Sequence, residues 1–164
     1  MNRLQQTMAL FAATFALGAA GAAAAAGTLA VEQGWIRAAP PGVPMLAGYA
    51  DLRNGGDAPL RISAVESAAF GSVSLHETTV VDGVSRMREL PGLAIDAGAT
   101  VRLAPGGKHL MLMEPRQPVD ARAPVRLSFV LEDGRRIDAE FVVTGQAPAA
   151  GDGHDHAGHD HHAH

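Results

Sequence analysis

The chain has 164 residues, with 13 Lys and Arg against 17 Asp and Glu, a formal charge of −4 at pH 7, and no cysteine. Its cations form no basic run and are not interleaved with aromatic residues, so nucleic acid is a poor partner. The missing thiol excludes disulfides, thiol redox exchange, a cysteine nucleophile and any blue-copper centre, which needs a Cys ligand.

Residues 1–26 read as an export signal. A single charge at Arg3 precedes an apolar stretch over 8–18 and a small-residue run over 19–26 with several A-x-A cleavage sites. The apolar part is too short for a span of roughly 20 residues. Cleavage is therefore expected near Gly27, with no membrane span in the mature form, and the lack of a following cysteine argues against a lipid anchor.

Residues 27–147 form one domain by length, enough to bury roughly 60% of the unfolded surface or more without staples. Short runs rich in Val, Leu, Ile and Phe predict strands at 28–37, 46–53, 60–67, 73–80, 84–90, 100–103, 109–114, 125–132 and 136–144. Turn residues separate them, including Asn54-Gly55-Gly56, Asp82-Gly83, Pro105-Gly106-Gly107 and Asp133-Gly134. No stretch sustains a helical period. The expected fold is all-β: two packed sheets with Greek-key connections.

Two stretches permit local geometry. Asp82-Gly83 suits a two-residue type I′ hairpin turn, in which both central residues have positive φ. Val81 then faces Val84, His76 faces Glu89, Thr78 faces Met87, and His76 and Met87 become diagonal neighbours on one face. In the second stretch, alternation places His109, Met111 and Met113 on one face and Leu110 and Leu112 on the other. The leucines fit a core; the imidazole and thioethers are left outside it.

Residues 148–164 are a low-complexity tail holding six of the eight histidines, and its composition cannot build a core. His154, His156, His159, His161, His162 and His164, with Asp152, Asp155 and Asp160, suit copper(II), nickel or zinc. Their irregular spacing among Asp, Ala and Gly distinguishes them from an engineered tag.

A single methionine on a strand ordinarily fills a core gap, and Met45, after Pro40, is read that way. A single histidine is ordinarily a surface or satisfied polar residue. Together, His76, Met87, His109 and Met111 point instead to a soft-metal site, because neutral thioethers favour copper(I) and are not lost to disulfide formation outside the cytoplasm. Met113 is an auxiliary thioether on the same face, and the tail histidines form an auxiliary set for copper(II).

The spacing of His76, Met87, His109 and Met111 resembles the signature of the periplasmic PCu(A)C copper chaperones. The likeness extends through Gly34-Trp35-Ile36-Arg37, Pro40-Pro41-Gly42, Leu75-His76-Glu77 and the stretch from Pro105 through Met113. One departure is Glu114-Pro115, where that family usually continues with Gly-Leu. The resemblance implies a cupredoxin-like sandwich and a periplasmic location. It also implies delivery of copper(I) to the binuclear copper centre of cytochrome c oxidase, directly or through a Sco-type chaperone. Copper storage or resistance buffering is the competing function. Enzymatic activity is not expected, since Ser72, Ser74 and His76 have no evident acid partner.

Overall fold

The computed structural model describes residues 28–146 except Pro41 and Arg122. The readings of 1–26 as an export signal and of 148–164 as a metal-binding tail lie outside the described residues.

Ten strands follow one another, and no helix occurs among the described residues. They are β1 (Leu29–Arg37), β2 (Met45–Asn54), β3 (Leu60–Glu66), β4 (Phe70–Val81), β5 (Val84–Leu90), β6 (Leu93–Ile95), β7 (Thr100–Leu103), β8 (Lys108–Pro115), β9 (Val125–Leu131) and β10 (Arg136–Thr144). Their spatial order is β5-β4-β8-β2-β1-β10-β9-β3-β6, with β7 also on β2. Neighbours that are not consecutive in sequence, such as β4 with β8 and β2 with β8, are the mark of Greek-key winding.

The chain closes its core by letting β10 serve two sheets. Residues 136–141 pair antiparallel with β9, and Val142, Val143 and Thr144 then run parallel to Trp35, Ile36 and Arg37 of β1. Inward side chains alternate along each strand, as in β9, where Val125, Leu127, Phe129 and Leu131 are buried and the residues between them are not. Against these pack Ile36, Leu52, Leu110 and Leu112, all fully buried on the inner face of the other sheet.

Two backbone features have local causes. Asp82 and Gly83 have φ of 52° and 76°, as a type I′ turn requires, and Val81 pairs with Val84 across it. Glu114 has φ of 54°, the left-handed region that glycine adopts without steric cost. Glu114 is held there by its N–H, which donates to the Pro44 carbonyl at 2.8 Å.

Several strand ends differ from the expected bounds by one residue, and three differences bear on the fold or the site. β6, three residues after Pro91-Gly92, was too short to signal itself. β4 begins at Phe70, because Phe70 and Ser72 already pair with Pro115 and Met113. β2 begins at Met45 rather than Leu46, and Met45 is 43% exposed rather than packed in the core.

Candidate metal centre

The expected metal face is the outer face of the sheet containing β5, β4, β8 and β2. Leu75, Leu110 and Leu112 point inward and are buried, so alternation turns His76, His109 and Met111 outward. His76 and His109 are a direct cross-strand pair between β4 and β8. Their rings stack with centroids 5.9 Å apart. Met87, on β5, stands opposite Thr78, two pairs along from the His76–Glu89 pair and so on the same face, in the diagonal relation that the hairpin turn predicted. Met111 stands opposite Ser74 and follows His109 by one alternation.

A groove of about 360 Å³ collects Met87, His109 and Met111 with Met45, Tyr49 and Thr78. Its wall continues to Arg37, Ala38 and Ala39 after β1. The Trp35 and Tyr49 rings pack with centroids 4.6 Å apart and planes tilted by 36°, and the Arg37 guanidinium lies 5.9 Å from the Tyr49 ring centroid. His109 is thus only 8% exposed although it belongs to an outer face, whereas Met87, on the edge strand β5, is 54% exposed. The two histidines differ in the same way: His76 flanks the set from β4 without lining this groove.

Hydrogen bonds divide the roles of the four imidazole nitrogens. His109 Nδ1 lies 3.0 Å from the Gly107 carbonyl, which can only accept, so Nδ1 carries the proton and the Nε2 lone pair is available to a metal. The same carbonyl accepts the Thr78 N–H at 3.1 Å, tying the orientation of His109 to β4. His76 Nε2 is 2.9 Å from Ser74 Oγ. A hydroxyl can donate or accept, so this bond leaves the tautomer open, and only an ion that takes Nε2 must displace it.

On the opposite face of these strands Glu77 pins the assembly. Arg88 Nη2 donates to Glu77 Oε2 at 2.5 Å from β5, and Lys108 Nζ donates to Oε1 at 2.8 Å from β8. The Lys108 hydrogen bond, followed by that of Arg88, holds the Glu77 carboxyl below its ordinary value of 4.5. This triad bridges the three strands that carry His76, Met87 and His109.

Among the described residues no three or more His, Cys, Asp or Glu side chains are grouped to hold a metal. Harder ions such as calcium or magnesium, which take six or more oxygens or keep much of their water shell, have no ready site there. Two imidazoles and thioethers remain, a neutral and soft donor set. Met113 lies on the same face, opposite Ser72 on one side and Met45 on the other. Sequence reasoning missed Met45, Ser74, Tyr49 and the Gly107 carbonyl. Ser74 and Gly107 each lie two residues from a histidine of the set, whereas Met45 and Tyr49 come to the site through non-local pairing.

The cupredoxin-like sandwich that bears this face is the fold of solved PCuAC domains. Residues 29–143 match the family described as putative lipoprotein LpqE-like, and the chain belongs to that family. The putative lipoprotein Lxx21020 of Leifsonia xyli subsp. xyli (strain CTCB07) is 36% identical over 105 residues. That match covers 63% of this chain and 62% of the relative's length. The Cu(I)-bound solution structure of DR1885 from Deinococcus radiodurans is 29% identical with a TM-score of 0.59, covering 77% of this chain and 83% of that one. The apo PCuAC domain of PmoF1 shares the fold at 23% identity and a TM-score of 0.60, covering 72% of this chain and 94% of that domain.

Proposed function

We propose that the protein is a periplasmic copper(I) chaperone that holds its cargo through His76, Met87, His109 and Met111. The observation that carries this reading is the direct cross-strand pairing of His76 with His109, with Met87 and Met111 on the same outer face. Two neutral imidazoles and two thioethers select a soft monovalent ion over zinc or calcium. The similar protein DR1885 has been obtained in a Cu(I) form, which supports the same cargo here. The lipoprotein descriptions of the family and of the relative support export.

Carriage requires release as well as binding. His109 is a buried anchor oriented by Gly107, whereas Met87 stands at the exposed sheet edge. A partner's thiolates can displace the exposed thioether first and the imidazoles last, so the ion is never free. The recipients this chemistry suits are the binuclear copper centre of cytochrome c oxidase or a Sco-type chaperone.

The tail is proposed as an auxiliary copper(II) site. β10 ends at the rim of the groove, since the Ala38 N–H donates to the Thr144 carbonyl at 2.8 Å and Ala38 lines the groove. The competing storage function and the delivery function separate in one experiment. The copper(I)-loaded protein is mixed with an apo acceptor having a two-thiolate site, and copper is measured in each after separation. Delivery predicts transfer faster than spontaneous loss to a dilute chelator; a buffer transfers no faster than it leaks.

A further inference from the structure

Met45, the first residue of β2, stands directly opposite Met113 of β8, and Met111 lies one alternation along, opposite Ala47. The flanking positions on β4 are Ser72 and Ser74, so β2, β8 and β4 carry no charge in these rows, and the charged residue of the groove is Arg37 on its wall. All three methionines face outward, because Leu46, Leu110 and Leu112, which alternate with them, are buried in the core. Hydrophobic packing does not account for an apolar side chain 43% exposed at Met45. Nor does it account for Met45 sharing a groove with Met87, His109 and Met111.

Cross-strand partners have Cβ atoms about 4.5–5.5 Å apart, and same-face neighbours on one strand about 6.6–6.8 Å. The three rotatable bonds of each methionine side chain let sulfurs at such positions converge on one ion. Three neutral thioethers with no carboxylate or imidazole among them select a soft monovalent ion even more sharply than a mixed set does.

We propose that Met45, Met111 and Met113 form a second copper(I) site of three thioethers, which shares Met111 with the His/Met set and serves to load and unload it. The loading role rests on the copper(I) reading above. Met45 is far more exposed than His109, so an ion arriving from solvent or from a partner meets the thioethers before the buried imidazole. Because Met111 belongs to both sets, the ion moves between them by exchanging Met45 and Met113 for the histidines and Met87 without leaving the protein. No electron or proton is transferred in that exchange.

The test uses the full chain labelled with ¹³C at the methionine methyls, each signal assigned by its own Met→Leu substitution, and titrated with silver(I) as a closed-shell soft ion. The Met87 and Met111 methyls are expected to shift with the first ion, and those of Met45 and Met113 as more is added. In Met45→Leu the Met113 response should be lost, since a binding partner has been removed. Two results overturn the second site while leaving the His/Met reading intact. One is unmoved Met45 and Met113 signals while Met87 and Met111 respond; the other is a Met113 shift that persists in Met45→Leu, which marks propagation along the strand. If no methionine methyl responds, both readings fail.

Discussion

His76 and His109 face each other across adjacent antiparallel strands, yet they present opposite nitrogens to their neighbours: His109 is held through Nδ1 by the Gly107 carbonyl, His76 through Nε2 by Ser74 Oγ. One imidazole is preset for a metal through Nε2, and on the other an ion that takes Nε2 must displace Ser74 Oγ. The asymmetry provides a test of how much the resting hydrogen bond opposes loading.

Ser74→Ala removes the competitor for His76 Nε2 without touching the core. A net hydrogen bond is worth about 0.5–1.5 kcal/mol, so copper(I) affinity should rise by up to about tenfold. Competition against a chromophoric copper(I) chelator under reducing conditions measures this. A fall in affinity would mean that Ser74 orients His76 for the ion rather than opposing it.

Acid should act on the Glu77 triad. Glu77 titrates below its ordinary value of 4.5 in the folded protein, chiefly through Lys108 and then Arg88. Between the lowered folded value and 4.5 the unfolded chain binds more protons, so stability rises with pH there. The stabilisation is complete above that window and is lost as pH falls through the folded value. Chemical denaturation of Glu77→Gln should accordingly show a flatter dependence of stability on pH below 4.5 than the parent chain.

Asn54, fully buried, donates from Nδ2 to the carbonyls of Ala58, Ile95 and Asp96 and accepts the Gly56 N–H at 3.0 Å. Asn54→Ala strands these buried groups, at a cost of about 1–3 kcal/mol. Urea unfolding should register that loss. Copper(I) affinity should stay unchanged, because Asn54 lies at the end of β2 remote from Met45.

Glu114 adopts a left-handed conformation that costs a residue with a Cβ roughly 1–2 kcal/mol. Glu114→Gly should therefore raise stability by about 1 kcal/mol, where most glycine substitutions in a strand lower it. Thermal unfolding of the two chains decides the sign.

How much of this was legible in the sequence depended on how local each relationship was. The His76–Met87 diagonal followed from Asp82-Gly83, because a type I′ turn sets the register of its own hairpin. The outward face of His109, Met111 and Met113 followed from alternation with Leu110 and Leu112. The pairing of His76 with His109, and of Met45 with Met113, joins strands distant in sequence, which no local pattern encodes. Only the family resemblance linked the first pair, and nothing linked the second. Asn54 looked like one residue of an Asn-Gly-Gly turn; its part in binding Ile95 and Asp96 is a tertiary fact. The burial of His109 in a groove that Tyr49 and Arg37 also line was likewise invisible until β2 was placed between β8 and β1.

The central claim is that the outer-face thioethers hold copper(I), and the most direct measurement is the copper(I) affinity of Met87→Leu and Met111→Leu beside the parent chain. Leucine keeps a similar apolar volume, so stability should change by less than about 1.5 kcal/mol on any reading. Titration with a competing copper(I) chelator under reducing conditions should show affinity falling markedly in each variant, as it should in His76→Ala and His109→Ala. Affinity unchanged in both methionine variants would contradict the account.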